Sequence, residues 1–132
     1  MSGRLTTHVL DTALGKPAAG VKVQLWRRTG ADAEGELPAD SATNADAASE
    51  LLAEAATNAD GRLDAPLLGG DAMAAGTYEL VFFVRDYFLR TQPAPAAFLD
   101  EVPIRFTIAS PGEHYHVPLL IAPGGYSTYR GS

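Results

Sequence analysis

A chain of 132 residues, 46% hydrophobic and 20% charged, has enough length for one real core but not for two, and it is too apolar for disorder. Its formal net charge of -6, with no basic stripe to offset it, argues against a nucleic-acid or anionic-membrane partner. There is no cysteine to form disulfides or thiolate metal sites; no signal-peptide pattern and no apolar run near the ~20 residues that span a bilayer is present, so the expected location is the cytoplasm.

In chain order, Leu5, Thr7 and Val9 alternate with Thr6, His8 and Leu10, which predicts a first strand. Asp11–Pro17 is turn chemistry, an Asx-type start followed by Gly15 and Pro17. Val21, Val23 and Leu25 then alternate with Lys22, Gln24 and Trp26, the pattern of a half-buried strand. Residues 28–50 are rich in Ala, Asp, Glu and Gly and read as an acidic loop. Ser49–Ala56 has strong helix propensity. The tight turn Asn58–Arg62, where Gly61 is free to take positive φ, instead suits a β-hairpin and an extended Leu51–Thr57; the sequence leaves both open. Tyr78–Val84 predicts a central strand covered on both faces, Asp86–Arg90 one helical turn, and Val102–Ile108 a strand. His114–Ile121 and Tyr126–Arg130 complete the series. Seven or eight short strands separated by turns define an all-β, antiparallel sandwich in one domain, 1–132.

The chemistry-bearing residues concentrate at the end of the chain. His114 and His116 stand two apart on a strand, so both imidazoles project from one face while Tyr115 and Val117 point the other way. Beyond a Pro-Gly-Gly turn come Tyr129, Arg130, Gly131 and Ser132. His8 and Arg62 are the other candidates, although a lone histidine or a turn arginine is more often a structural or solvated group. Two histidines at i, i+2 with His8 as a third ligand could bind zinc, but neither an HExxH helix nor an acidic ligand at a recognisable spacing accompanies them. There is no G-x-S-x-G for a serine triad. Neutral histidine to handle water, arginine to stabilise an oxyanion, and hydroxyls to orient fit together without either device.

With THVLD, DGR, HYHVPLL and YRGS present in that order, the chain resembles the 5-hydroxyisourate hydrolases of the transthyretin-like family. The likeness runs through LTTHVLDTALGKPAAGVKVQLW, LLAEAATNADGRLDAPLL, GTYELVFFVRDYF and FLDEVPIRFTI as well, and the terminal YRGS separates the hydrolases from the hormone carrier. The resemblance implies a transthyretin-like (prealbumin-like) sandwich of two four-stranded sheets with one short helix. It also implies a homotetramer, a dimer of dimers with active sites where the dimers meet. Its implied reaction is metal-independent and cofactor-free: water opens the ring of 5-hydroxyisourate to give 2-oxo-4-hydroxy-4-carboxy-5-ureidoimidazoline. On this resemblance His8, Arg62 and His116 are the catalytic groups, Tyr129, Arg130, Gly131 and Ser132 bind substrate, and His114 has a supporting role. Two features depart from the family pattern: residues 28–50 form a longer insertion than its members usually have, and Phe83 and Arg85 stand where a polar residue and a glycine are expected. The rival readings are a small-ligand carrier without catalysis and a sandwich module for protein interaction.

Overall fold

A computed structural model describes residues 3–28, 49–91 and 98–131. The strands among them are β1 (Arg4–Asp11), β2 (Lys16–Pro17), β3 (Lys22–Arg28), β4 (Ser49–Ala56), β5 (Leu68–Gly69), β6 (Gly76–Phe83), β7 (Glu101–Ile108), β8 (Tyr115–Ala122) and β9 (Gly125–Thr128). One helix, α1 (Val84–Thr91), follows β6. They form two sheets, one in the order β2-β1-β8-β9 with β5 also on β1, the other in the order β4-β3-β6-β7.

The core fills the space between the sheets, and it is built by alternation. Leu5 and Val9 of β1, Val23 and Leu25 of β3, Tyr78, Leu80 and Phe82 of β6, and Leu119 and Ile121 of β8 are fully buried. Helix α1 adds Val84, Tyr87 and Phe88, the i, i+3, i+4 stripe of an amphipathic helix. The Tyr87 hydroxyl donates to Asp11 Oδ2 at 2.7 Å, while Asp11 Oδ1 accepts from the backbone of Ala13 and Leu14 at 3.0 Å each. Asp11 therefore ends β1, shapes the loop after it and anchors the helix.

The sandwich agrees with the sequence; several details differ, and the segment left open, Ser49–Ala56, is decided. The first sheet has five strands, because β5 and β2 each pair for two residues with opposite ends of the same β1 edge. The ladder between β1 and β8 is parallel, since the intervening chain builds the other sheet before returning in the same direction. Ser49–Ala56 is a strand, held along β3 despite its helix propensity. The Asn58–Arg62 turn closes no hairpin; it carries the chain from β4 across to the edge of β1. The expected single helical turn is the eight-residue α1. Strand β6 is central, but only Tyr78, Leu80 and Phe82 meet the core, and the residues of its opposite face are half-buried. Most of the 28–50 segment, residues 29–48, lies outside the described residues; its ends belong to β3 and β4, where Arg28 pairs with Ser49. No helix among the described residues is long and apolar enough to cross a membrane.

Candidate active site

The parallel register between β1 and β8 sets Thr6 opposite His116 and His8 opposite Pro118. Since alternate residues share a face, burying Leu5, Thr7 and Val9 turns Arg4, Thr6 and His8 outward. Burying Tyr115 and Val117 likewise turns out His114 and His116. Arg62 arrives along the other edge of β1. The Gly61 carbonyl accepts from Val9 N–H at 2.8 Å, and Arg62 bridges to His8 in antiparallel fashion.

The turn that delivers Arg62 is tightly specified. Asn58 Oδ1 accepts from the backbone N–H groups of Asp60 at 2.8 Å and Arg62 at 3.1 Å. Gly61 has φ of 75°, a left-handed conformation that costs other residues strain. A Cβ there would also collide with the carbonyl oxygen of Val9. The expected positive φ at Gly61 is thus found, together with a second reason for glycine.

Arg4, Thr6, Arg62, His114 and His116 line one open cavity of about 490 Å³. A smaller one of about 230 Å³ shares Arg4, Thr6 and Arg62 and extends over Leu63–Pro66. Among the described residues no carboxylate lines the larger cavity, so in a chain of net charge -6 these side chains form a local cationic surface. Burial, then the positive charges of Arg62 and His8, lower the pKa of His116 below its ordinary 6.5. That keeps the imidazole neutral and able to accept a proton. His8 Nε2–H donates to the carbonyl of Asp60 at 2.9 Å, which leaves Nδ1 as the nitrogen it can offer a ligand.

The tail runs back along β8. Gly131 pairs with His116, continuing the register that sets Thr128 opposite Leu119, and its N–H donates to the His116 carbonyl at 2.7 Å. A Cβ on Gly131 would lie 2.9 Å from His116 Cδ2, so the tail can lie against the imidazole only because that residue has no side chain. Arg130 faces away. Its guanidinium stacks 4.1 Å over the Tyr115 ring and donates to Glu113 Oε1 and the His114 carbonyl, each at 3.1 Å.

The structure therefore gathers His8, Arg62, His114 and His116, and it sets Gly131 beside them. Tyr129 is 61% exposed and lines neither cavity in this chain. Arg130 anchors the tail from behind, and Ser132 lies outside the described residues. Phe83 packs under Lys22, whose Nζ is 5.0 Å from the ring centroid, and Arg85 is exposed on α1; neither lines these cavities. Sequence reasoning missed Arg4 and Thr6. Both share the period-two face of His8, and that alternation was the signal available.

Fold and cluster together define a β-sandwich protein that displays imidazoles and guanidinium groups on an outward sheet face, equipment for acid–base chemistry on a small polar ligand. The chain belongs to the HIUase/Transthyretin family, whose profile matches residues 5–131. It is 57% identical to a 5-hydroxyisourate hydrolase of Halalkalibacterium halodurans over the full length of both chains. It is 52% identical to one of Deinococcus radiodurans, again over the full length of both. Among solved structures, the Klebsiella pneumoniae 5-hydroxyisourate hydrolase superposes with a TM-score of 0.73 at 36% identity, over 98% of this chain and 99% of that one. An (S)-allantoin synthase superposes at 0.81 and 39% identity, over 99% of this chain but only 44% of that longer one. Transthyretin of sea bream, at 23% identity and a TM-score of 0.77, shares the fold.

Proposed function

We propose that the chain is a 5-hydroxyisourate hydrolase acting in urate breakdown. The observation that carries this reading is the meeting of His8, Arg62 and His116 on one sheet face, in a chain alike over its whole length to proteins of that activity. His116, held neutral, takes a proton from water as the oxygen adds to a ring carbonyl. Arg62 holds that carbonyl and stabilises the oxyanion with the paired donors of its guanidinium. As the C–N bond breaks, His8 orients the substrate or gives the leaving nitrogen its proton. Tyr129 and Ser132 complete binding from the tail, and His114 supports the cavity wall. Proton transfer by histidine contributes on the order of 10²–10⁴-fold in rate.

The chain acts as one domain in the cytoplasm and assembles as a homotetramer whose sites lie between dimers. Two features support assembly: no strand among the described residues pairs with the outer edges of β7 and β9, and the cavity lies open on a sheet face that a second copy could cover. The hydrolase reading is tested by generating 5-hydroxyisourate in situ from urate and uricase and following its ultraviolet decay. Purified protein hastens the decay; a rate equal to that in buffer removes the reading.

A further inference from the structure

We propose that Thr6 is a positioning residue for His116, accepting a hydrogen bond from Nδ1–H so that Nε2 presents its lone pair to the cavity. The inference rests on the hydrolase reading for its kinetic consequence but on geometry for its substance.

Thr6 Oγ1 lies 2.8 Å from His116 Nδ1, and the two residues face each other directly across the parallel ladder. A hydroxyl can either donate or accept, so distance alone allows two arrangements. In one, Thr6 donates to Nδ1 and the ring proton sits on Nε2, leaving no lone pair for water. In the other, Nδ1–H donates to Thr6 and Nε2 is a base.

The surrounding charges choose between them. Arg4 and His8 flank Thr6 on β1, Arg62 enters from the turn, and His114 stands just before β8. On the tail, Arg130 is paired to Glu113. Arg62 and His8 already act on His116 as positive neighbours. A lone pair directed into a cationic cavity is stabilised, whereas an N–H directed there is repelled. The backbone fixes the rest of the ring: Gly131 packs against Cδ2 and Cβ, so Nε2 is the nitrogen left for substrate. No other hydrogen-bond partner competes for Thr6 Oγ1 among the described residues, which leaves its own proton for water or ligand.

Three proteins decide the matter: wild type, Thr6→Val, which keeps the shape and loses the oxygen, and Thr6→Ser, which keeps the oxygen. Nitrogen NMR of ¹⁵N-histidine-labelled wild-type protein should find His116 protonated at Nδ1 at neutral pH. In Thr6→Val that signal should shift toward a tautomer mixture, kcat should fall by about 10- to 100-fold with little change in KM, and the acid limb of kcat should move to lower pH. The accepted bond favours the imidazolium more than the neutral ring, so its loss makes His116 easier to deprotonate. Thr6→Ser should restore most of kcat and the wild-type limb. A wild-type His116 protonated at Nε2 overturns the proposal, as does a Thr6→Val protein whose kcat or pH limb stays at the wild-type value. The NMR result needs no substrate, so failure of the hydrolase reading, seen as inactive wild type, is separable from failure of this one.

Discussion

The outward faces of the two sheets carry similar residues and use them oppositely. On the β4-β3-β6-β7 sheet the cations meet carboxylates: Lys22 lies 3.2 Å from Glu54, and Arg28 and Arg105 converge on Glu79 at 3.5 and 3.3 Å. On the β1–β8 face Arg4 and Arg62 have no carboxylate within ion-pair distance among the described residues, and His116 bonds to a neutral hydroxyl. Paired charges on a sheet fasten side chains and add little field. Unpaired ones, gathered around an open cavity, hold a potential ready for a ligand. The second arrangement costs stability through like-charge repulsion, and it persists where the rest of the fold over-determines it.

The largest effects should follow from removing the unpaired groups. His116→Asn should lower kcat by about 10²–10⁴-fold, more than it raises KM, because it deletes an interaction made in the transition state. Arg62→Gln should cost about 10²–10³-fold through the lost oxyanion donor. Glu79→Gln on the other sheet is the counterpart: it should leave kcat unchanged and destabilise the fold by about 1–3 kcal/mol, because Arg28 is only 4% exposed and loses its charge partner. Steady-state kinetics and thermal melts on the three variants suffice. Equal kinetic losses from Glu79→Gln and His116→Asn would erase the distinction between the faces.

Deleting 129–132 tests whether the tail belongs with the site or with the fastenings. Turnover should be lost while the melting temperature moves by only a few degrees, since the Arg130–Glu113 pair is exposed and such pairs contribute about 0.2–1 kcal/mol. Wild-type turnover in the truncated protein would make the tail an ornament of β8.

Much of this site was legible because a strand's alternation is a local rule. HYH places two imidazoles on one face whatever their neighbours are, and DGR marks a turn that only Gly61 can make. The missing part is what alternation cannot see. Alternation alone could have put Arg4 and Thr6 on the face of His8, but nothing near Thr6 in sequence says that β1 lies parallel to a strand 110 residues away, so its bond to His116 was invisible. SELLAEAA reads as a helix by propensity, and pairing with β3 overrides that preference. The tail was recognised as a unit, yet its register splits it: Gly131 meets His116 while Arg130, on the opposite parity, turns to Tyr115.

The smallest expected effect is the one that reads the field of the cluster directly. Burial is the chief reason the pKa of His116 falls below 6.5, with Arg62 and His8 adding to it. A base must be neutral, and the free protein's pKa is read in kcat/KM, so the acid limb of kcat/KM should lie below pH 6.5 in wild type. In His8→Asn one of the two positive neighbours is gone, and the limb should move upward while staying under the ordinary value, because burial persists. The same shift acts on folding. Between the lowered pKa and 6.5 the unfolded chain binds more protons at this position than the native one, so stability should fall as pH drops through that window. Chemical denaturation across it should be steeper in wild type than in His116→Asn. A limb that ignores His8 would mean that water in the open cavity screens the cluster, and the contrast between the two faces would then be one of geometry without potential.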